Sequence, residues 1–572
     1  MGTFSCDIET NGLDPDTIWC IVAQDVETGQ VFTFKEPNRY EFNDWLYDNV
    51  YTIIFHNGFG FDVPVLEKLF DTDFSNIRVE DTMILSQITE PRRDGGHSLA
   101  SWGERLGFPK GDHTDWSQYS EEMLEYCVRD VEITTKLWNT LDTSGFSEDS
   151  IQLEYDTKKH TAQQEKNGWY FDEDGAMRLM MDISAEITEV ESEVRQVFKP
   201  RAVFTEIKKA NKHTKSGAVS KNYLKQKEKG CFWTKEGKYG YNTYKPFNLG
   251  SRVQIAEYLQ ELGWKPTVFT ETGRAKVDEG TLDGVDIPEA KLIGRYLMLD
   301  KRRSMLQSWI DAFNRETHSL HGRVHTLGTV TNRMSSSGPN LQQVVASNKE
   351  YGKEMRSLFT VHPGKVLVGA DLSGLELRCL AHYMNDKEYT NEILNGDIHV
   401  ANQKAAGLAT RNEAKTFIYA FLYGGGDELI GKIVGGGSKE GKKIKKSFLD
   451  GTPALKTLRR LVEQASSRGY VKGLDGRRIY VRSTHSALNF LLQSAGSIIA
   501  KRAWVIFHQH CKLPFKQLGV IHDEIQIECE PQYADDIGKE VVKAMEATTE
   551  YYKLNCPITG EYGVGGSWND TH

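Results

Sequence analysis

The alternation of apolar and polar positions predicts a series of elements that each end in, or carry, acidic side chains. The chain opens on the strand TFSCDIET, where a side-chain period of two puts Asp7 and Glu9 on one face. The apolar stretch YTIIF predicts a strand running into His56-Asn57-Gly58, with Asp62 just before Val63-Pro64. EYCVRDVEIT predicts a helix with Tyr126 and Asp130 at i and i+4, on one face. GKVLVGADLSGLELRCLAHY begins as a buried strand over Val366 to Gly369 and reaches Asp371. It then turns through Ser373-Gly374 into a helix whose first turn holds Glu376. RNEAKTFIYAFLYGGG predicts a helix in which Arg411, Lys415, Tyr419 and Tyr423 recur every four residues. Four residues turn a helix by about 400°, so this row drifts slowly along one side over about 18 Å. Near the C-terminus, GVIHDEIQIE predicts two short strands with His522, Asp523 and Glu524 in the turn between them.

Each piece has an ordinary explanation when taken alone. A strand-end Asp commonly caps the next helix. An aromatic stripe on a helix is usually packing, and acidic turns are usually solvated. Carboxylates flanked by residues that want burial are harder to explain, because buried charge is neutralised, paired or bound to metal.

Composition narrows the classes. The chain has 572 residues, 39% hydrophobic and 26% charged, as in an ordinary globular protein. That length suggests three or four domains at about 150 residues each. No apolar run approaches the roughly 18 residues of a membrane span. The start, MGTFSCDIET, lacks the basic and apolar regions of a signal peptide, and Cys6 stands where a myristoylation signal needs Ser or Thr. Eight cysteines without paired spacing read as reduced thiols in a cytosolic compartment. Net charge is −10, yet Lys199 to Lys245 holds 13 Lys and Arg against 3 Glu, a local +10. Tyr223, Phe232, Trp233, Tyr239, Tyr241 and Tyr244 interleave with these cations. Such a segment suits either a solvated loop or a surface for phosphates and bases.

In combination the motifs are specific. Asp-x-Glu at 7–9, His-Asn-x-x-x-Phe-Asp at 56–62 and Tyr-x-x-x-Asp at 126–130 resemble, in order, the three exonuclease motifs of the DnaQ-like 3′–5′ proofreading family. The resemblance implies a ribonuclease-H-like α/β domain in which Asp7, Glu9, Asp62 and Asp130 bind metal and Tyr126 orients the attacking water. Hard divalent cations need several oxygen ligands, and a pair of them can activate water and stabilise the leaving oxygen.

Asp-x-x-x-x-Glu at 371–376, Arg-x-x-x-Lys-x-x-x-Tyr-x-x-x-Tyr-Gly at 411–424 and His-Asp-Glu at 522–524 resemble motifs A, B and C of family A DNA polymerases. TNRMSSSGPNLQQV resembles that family's stretch that contacts primer and template. NGDIHVANQ, GLDGRRIYVRS and LLQSAGSIIAK are similar to the short bacteriophage replicative polymerases, including the thioredoxin-dependent type. Two departures stand out: Asn332 where Gly is common, and Val344-Val345 in place of Ile-Pro.

The resemblance implies a template-directed DNA polymerase with proofreading. Asp371 and Asp523, with the Leu372 carbonyl, would hold two Mg²⁺, with Mn²⁺ able to substitute. Arg411, Lys415 and His399 would bind the incoming phosphates, with Lys415 a proton donor to pyrophosphate. Glu376, packed with Tyr419, would exclude ribonucleotides. Tyr423 would guard the template base, Arg333 and Gln493 would probe the primer-terminal minor groove, and His522 would contact the primer terminus. Glu524 would support the site from behind.

The implied fold class is α/β and α+β multidomain: a ribonuclease-H-like exonuclease domain over 1–150, then a right-hand polymerase domain. The thumb would span 151–320 with the basic insertion at about 199–245. The palm would be 321–385 and 470–572, and the fingers 386–469. Implied partners are primer-template DNA, dNTPs, a phage helicase-primase and a single-strand binding protein, in the cytoplasm of an infected bacterial host and away from membranes. Host thioredoxin is an open partner, against which the shortness of the basic segment argues. The competing readings are a nuclease with an inactive polymerase body, a single-subunit RNA polymerase and a non-enzymatic DNA-binding protein. Intact Asp371, Lys415 and Asp523 oppose the first, and Glu376 with the attached nuclease motifs opposes the second. The third has no use for two metal constellations.

Overall fold

The computed structural model describes residues 1–207, 212–270 and 272–571. It divides into two compact units, Met1–Phe171 with Ala312–His572, and Asp172–Asp311.

The first unit begins with an α/β layer. Its elements are β1 (Gly2–Thr10), β2 (Ile18–Asp25), β3 (Val31–Lys35), α1 (Arg39–Asn49), β4 (Val50–Phe55), α2 (Asp62–Phe70), β5 (Arg78–Asp81), α3 (Thr82–Thr89), α4 (Leu99–Arg105), α5 (Glu121–Trp138) and α6 (Glu148–Asn167). The five strands lie in the order β3-β2-β1-β4-β5. β1 to β3 are antiparallel, and β4 and β5 run parallel to β1. Alternation along β1 sorts its side chains. Phe4, Cys6 and Ile8 enter the core shared with Phe42, Leu46 and Leu66 of α1 and α2. The odd positions therefore face α5, where the Ser5 and Thr135 hydroxyls hydrogen-bond. Met123, Cys127 and Val131 of α5 pack on Cys20 and Val22 of β2. This puts Asp130 over the face that carries Asp7 and Glu9.

The other half of the first unit is built on a four-stranded antiparallel sheet in the order Phe515–Ile521, Glu524–Cys529, Val366–Leu372, Gly560–Gly565. One face, with Val368, Ala370, Leu372, Val520, Ile525 and Ile527, merges into a large core. That core also takes in Ala487–His510, a helix with buried residues all round, as expected of a central element. The same core extends through Arg411–Leu422, Ser438–Gly451 and Pro453–Ser466. The opposite face of Glu524–Cys529 is polar yet buried, and each group on it is bonded. Trp568 Nε1 donates to Glu524 at 2.6 Å, Thr571 Oγ1 to Gln526 at 3.0 Å, and His362 N to Glu528 at 2.8 Å.

α6 joins the two halves. It packs on the strand Phe515–Ile521 and the helix Ala487–His510. Glu154 of α6 receives Arg477 Nη1 and Lys501 Nζ, both at 2.6 Å, while Arg477 Nη2 reaches Asp475 at 2.7 Å. All four side chains are at most 1% exposed, and their charges cancel. Burial, outweighing the attraction of Glu154, brings Lys501 down to about 8. Nearby, the His160 and His508 rings stack at 3.8 Å and 13°.

The second unit contains the helix Glu173–Val197, all but the last residue of the helix Pro288–Ala312, and a three-stranded antiparallel sheet. The sheet orders Arg201–Glu206, Tyr239–Lys245 and Phe232–Trp233. The basic segment thus forms a sheet with the helix Lys221–Glu228, where the composition also allowed a loop. Trp233 and Tyr244 remain 54% and 71% exposed on it. Lys208 and Lys209 lie outside the described residues.

Candidate active sites

The first site forms between β1, α2 and α5. Asp7 and Glu9 come from alternate positions of β1, Asp62 from the first residue of α2 and Asp130 from α5. Burial, then the neighbouring Asp130, raises the Asp7 pKa, while burial followed by Asp7 and Asp130 raises that of Glu9. Asp62 is pushed up by burial and by Asp7. The four expected carboxylates are thus gathered in one electrostatic cluster.

Such a cluster calls for a cation, and the donors fit one. Asp130 Oδ1 is buried and has no hydrogen-bond partner. Ligand atoms of Asp7, Glu9 and Cys127 lie within 4.8 Å of one another. Burial holds the Cys127 thiol in its protonated form, and its Sγ donates to the Asp7 carboxylate at 3.5 Å. Oxygen donors together with a protonated thiol suit a hard cation held by the carboxylates, with Cys127 as their neighbour.

Tyr126 is braced by Trp116 at 5.8 Å and His113 at 6.0 Å between ring centroids. Burial keeps His56 neutral, with its pKa down to about 3, and its Nδ1 lies 2.9 Å from Thr82 Oγ1. That contact links the turn after β4 to the start of α3. Lys110 escaped the sequence reading. Its ammonium lies 2.5 Å from Asp130 Oδ2. A lone Lys in a polar loop carries no periodic signal that points to this position.

The second site surrounds the turn between Phe515–Ile521 and Glu524–Cys529. The turn has only two residues, His522 and Asp523, because Ile521 pairs directly with Glu524. His522 adopts φ 60°, the positive value that a tight hairpin requires at its first central residue. Glu524 therefore begins the strand, where its side chain meets Gln526 and Trp568. Asp371 pairs across the sheet with Glu524 and Glu561. The Leu372 N–H donates to the Asp523 carbonyl at 3.2 Å, which sets the two strand ends side by side. Gly374 at φ 60° then turns the chain sharply into the helix Leu375–Met384. Burial, followed by Glu376, lifts Asp523 to about 6.

Glu376 is held from two sides, by Tyr423 Oη at 2.7 Å and Arg333 Nη2 at 3.3 Å. Arg333, His522 and Asp523 line one small cavity with Ser497 and Lys501. Gln493 accepts from Thr331 Oγ1 at 3.4 Å. Asn332 has φ 62°, a left-handed conformation that Asn tolerates better than most side chains, and this accounts for it at a position where Gly is common. Ser497 Oγ donates to its carbonyl at 2.7 Å.

The helix Arg411–Leu422 carries Arg411, Lys415 and Tyr419, with Tyr423 as its C-cap. Tyr419 feels Glu376, Asp523 and Asp371, and its ring lies 6.4 Å from that of His399. Arg411 Nε donates to Asp397 at 2.7 Å. Lys415 is exposed. The structure thus brings Arg333, Glu376, Tyr419, Tyr423, His522 and Asp523 together beside Asp371, while Arg411 and Lys415 stand farther along the helix.

Residues 234–570 match the family described as DNA polymerase family A, and residues 1–144 match 3'-5' exonuclease. The chain is 33% identical to the DNA-directed DNA polymerase of Enterobacteria phage T3, over 99% of each chain. It is 32% identical to that of Escherichia phage T7, again over 99% of each. Among solved structures, the POL domain of Pol1 from M. smegmatis, in complex with DNA primer-template and dNTP, superposes with a TM-score of 0.76 at 18% identity. That likeness covers 99% of this chain and 95% of the other.

Proposed function

The chain belongs to DNA polymerase family A and carries a 3'-5' exonuclease domain ahead of its polymerase domain, and on that premise we propose that it replicates phage DNA and proofreads its own product. The observation that carries this reading is the presence of two carboxylate sets, each gathered at its own sheet from strands, helices or a turn. In this reading the exonuclease is 1–150, the thumb about 151–320, the palm 321–385 and 470–572, and the fingers 386–469.

In the polymerase site Asp371, Asp523 and the Leu372 carbonyl hold the cations, Mg²⁺ or its substitute Mn²⁺. In the exonuclease site Asp7, Glu9, Asp62 and Asp130 hold them. When bound, these ions supply charge stabilisation at the reacting phosphate and lower the pKa of the attacking oxygen. The chain supplies the positioning. Lys415 and Arg411, the latter exchanging Asp397 for phosphate, meet the triphosphate along one helix side, and His399 meets it from the separate helix Ile398–Ala406. Lys415 returns a proton to the pyrophosphate. Glu376, fixed by Tyr423 and Arg333, presents a carboxylate beside Tyr419 where a ribose 2′-hydroxyl would intrude. Tyr423 marks the template base. Arg333 and Gln493 read acceptors shared by all base pairs in the minor groove, and His522 meets the primer end. In the exonuclease site Tyr126 orients water.

No helix among the described residues is long and apolar enough to cross a membrane. The proposed setting is the cytoplasm of an infected bacterium, beside a helicase-primase and a single-strand binding protein.

Primer extension and single-strand degradation test the assignment together. Asp371→Ala or Asp523→Ala should abolish extension and leave degradation intact, whereas Asp7→Ala with Glu9→Ala should do the reverse. Loss of both activities from either lesion, in a folded protein, refutes it.

A further inference from the structure

The loop between α4 and α5 is anchored beside the exonuclease carboxylates. Phe108 N bonds to Gly103 O at 2.9 Å, and Arg129 Nε of α5 donates to Pro109 O at 3.0 Å. Farther along, Trp19 Nε1 of β2 donates to Trp116 O at 3.0 Å. Lys110 lies between these ties. Its ammonium is 2.5 Å from Asp130 Oδ2 and 4.7 Å from the centroid of the Tyr126 ring. The Lys110 side chain is 25% exposed and that of Asp130 is 4% exposed, so the pair is largely sheltered from solvent. The other Asp130 oxygen, Oδ1, is buried without a partner.

This is an asymmetric grip. One carboxylate oxygen is engaged by a fixed cation, which sets the rotation of the group and leaves the second oxygen available. The same ammonium lies against the ring that the proposed chemistry uses to orient water. Its charge offsets part of the repulsion among Asp7, Glu9 and Asp130. It also competes for those carboxylates with any divalent cation.

We propose that Lys110 is a positioning residue of the exonuclease reaction, holding Asp130 Oδ2 and Tyr126 in place so that Asp130 Oδ1 remains directed to the metal-binding set. The proposal rests on the exonuclease reading given above. It makes a combined demand that a merely structural lysine does not. Removing it should slow the chemistry through misplacement of Asp130 and Tyr126, and should also tighten cation binding, because a competing positive charge has gone.

The test uses the full chain in an Asp371→Ala, Asp523→Ala background, where the polymerase carboxylates no longer bind metal. Lys110→Met should lower kcat for single-strand degradation by about 100-fold, the scale of a 1 Å misplacement. KM should stay within about twofold, since Lys110 acts on Asp130 and Tyr126 and its loss falls on the chemical step. Mn²⁺ titration without DNA, with free ion counted by electron paramagnetic resonance, should show tighter binding than in the parent. Lys110→Arg, which keeps the charge, should recover much of kcat and return Mn²⁺ affinity towards the parent. An unchanged kcat in Lys110→Met overturns the proposal. So does weaker Mn²⁺ binding together with lost kcat and no recovery by Arg, which marks collapse of the site. Failure of the underlying reading shows itself separately, as degradation that survives Asp7→Ala with Glu9→Ala.

Discussion

Glu154→Gln should unlock the joint between the nuclease and polymerase halves. The side chain it replaces is fully buried and receives both Arg477 and Lys501 at 2.6 Å. At an effective dielectric of about 20, each pairing of unit charges roughly 3 Å apart is worth about 5 kcal/mol before desolvation is subtracted. The desolvation already suffered by Arg477 is not returned when Glu154 is neutralised. Lys501, already down at about 8 with Glu154 beside it, is left to stay charged at a cost or to give up its proton, because both stay buried with only Asp475 as a counter-charge. Breaking such a pair from one side costs about 3–5 kcal/mol, and that is the expected loss. Urea unfolding followed by tryptophan fluorescence reads it directly, with Trp504 one helical turn from Lys501. Glu154→Gln combined with Lys501→Met leaves the Arg477–Asp475 pair neutral and should recover at least half of the loss. A cost below about 1 kcal/mol, the value of a surface pair, would refute the reasoning. Strict additivity of the two single substitutions would refute it too, since residues of one network must couple.

Two further outcomes follow from groups outside the catalytic sets. The stacked His160 and His508 rings are held neutral by burial, His160 with its pKa at about 3. An unfolded chain takes up protons near pH 6.5, before the folded one does, so stability is full above that pH and falls as the pH drops below it. His508→Gln should flatten this decline in pH-dependent urea midpoints, and an unchanged decline would exclude the pair as its source. In the basic segment, Lys212 and Lys215, ahead of the helix Lys221–Glu228, and Lys225 and Lys227 on it are exposed. Replacing them with Ala should lower the salt slope of primer-template binding by about 0.9 for each phosphate left without its lysine. An unchanged slope would remove these lysines from the DNA path, and a large gain in product length on adding thioredoxin would make the basic segment a docking surface for that protein.

Much of both sites could be read from spacing. Asp7 and Glu9 share a face because a strand alternates, and Tyr126 and Asp130 share one because a helix repeats. The turn at His522 and Asp523 was also legible as a hairpin, but its length was not. Glu524 reads as a third turn residue until its pairing with Ile521 and Asp371 places it in the strand. Its partner Trp568 lies 44 positions away, and nothing local points to that bond. The Glu154 network has the same character, since its members are 323 and 347 residues apart. Lys110 was missed because an irregular loop has no period to place its side chains. The basic segment was ambiguous because its composition suits a loop and a sheet edge alike.

The sheet that holds Asp371 joins strands far apart in the sequence. Val366–Leu372 lies between Glu524–Cys529 and Gly560–Gly565, and residues beyond 565 cover its polar face. The five-stranded sheet around Asp7 closes within residues 2–81, with α5 complete by Trp138. During synthesis from the N-terminus, the nuclease layer therefore has all its strands long before the polymerase sheet has its third and fourth. A chain still on the ribosome passes through a long interval in which the part that removes nucleotides can be folded while the part that adds them lacks strands, and a premature stop late in the message removes polymerisation first.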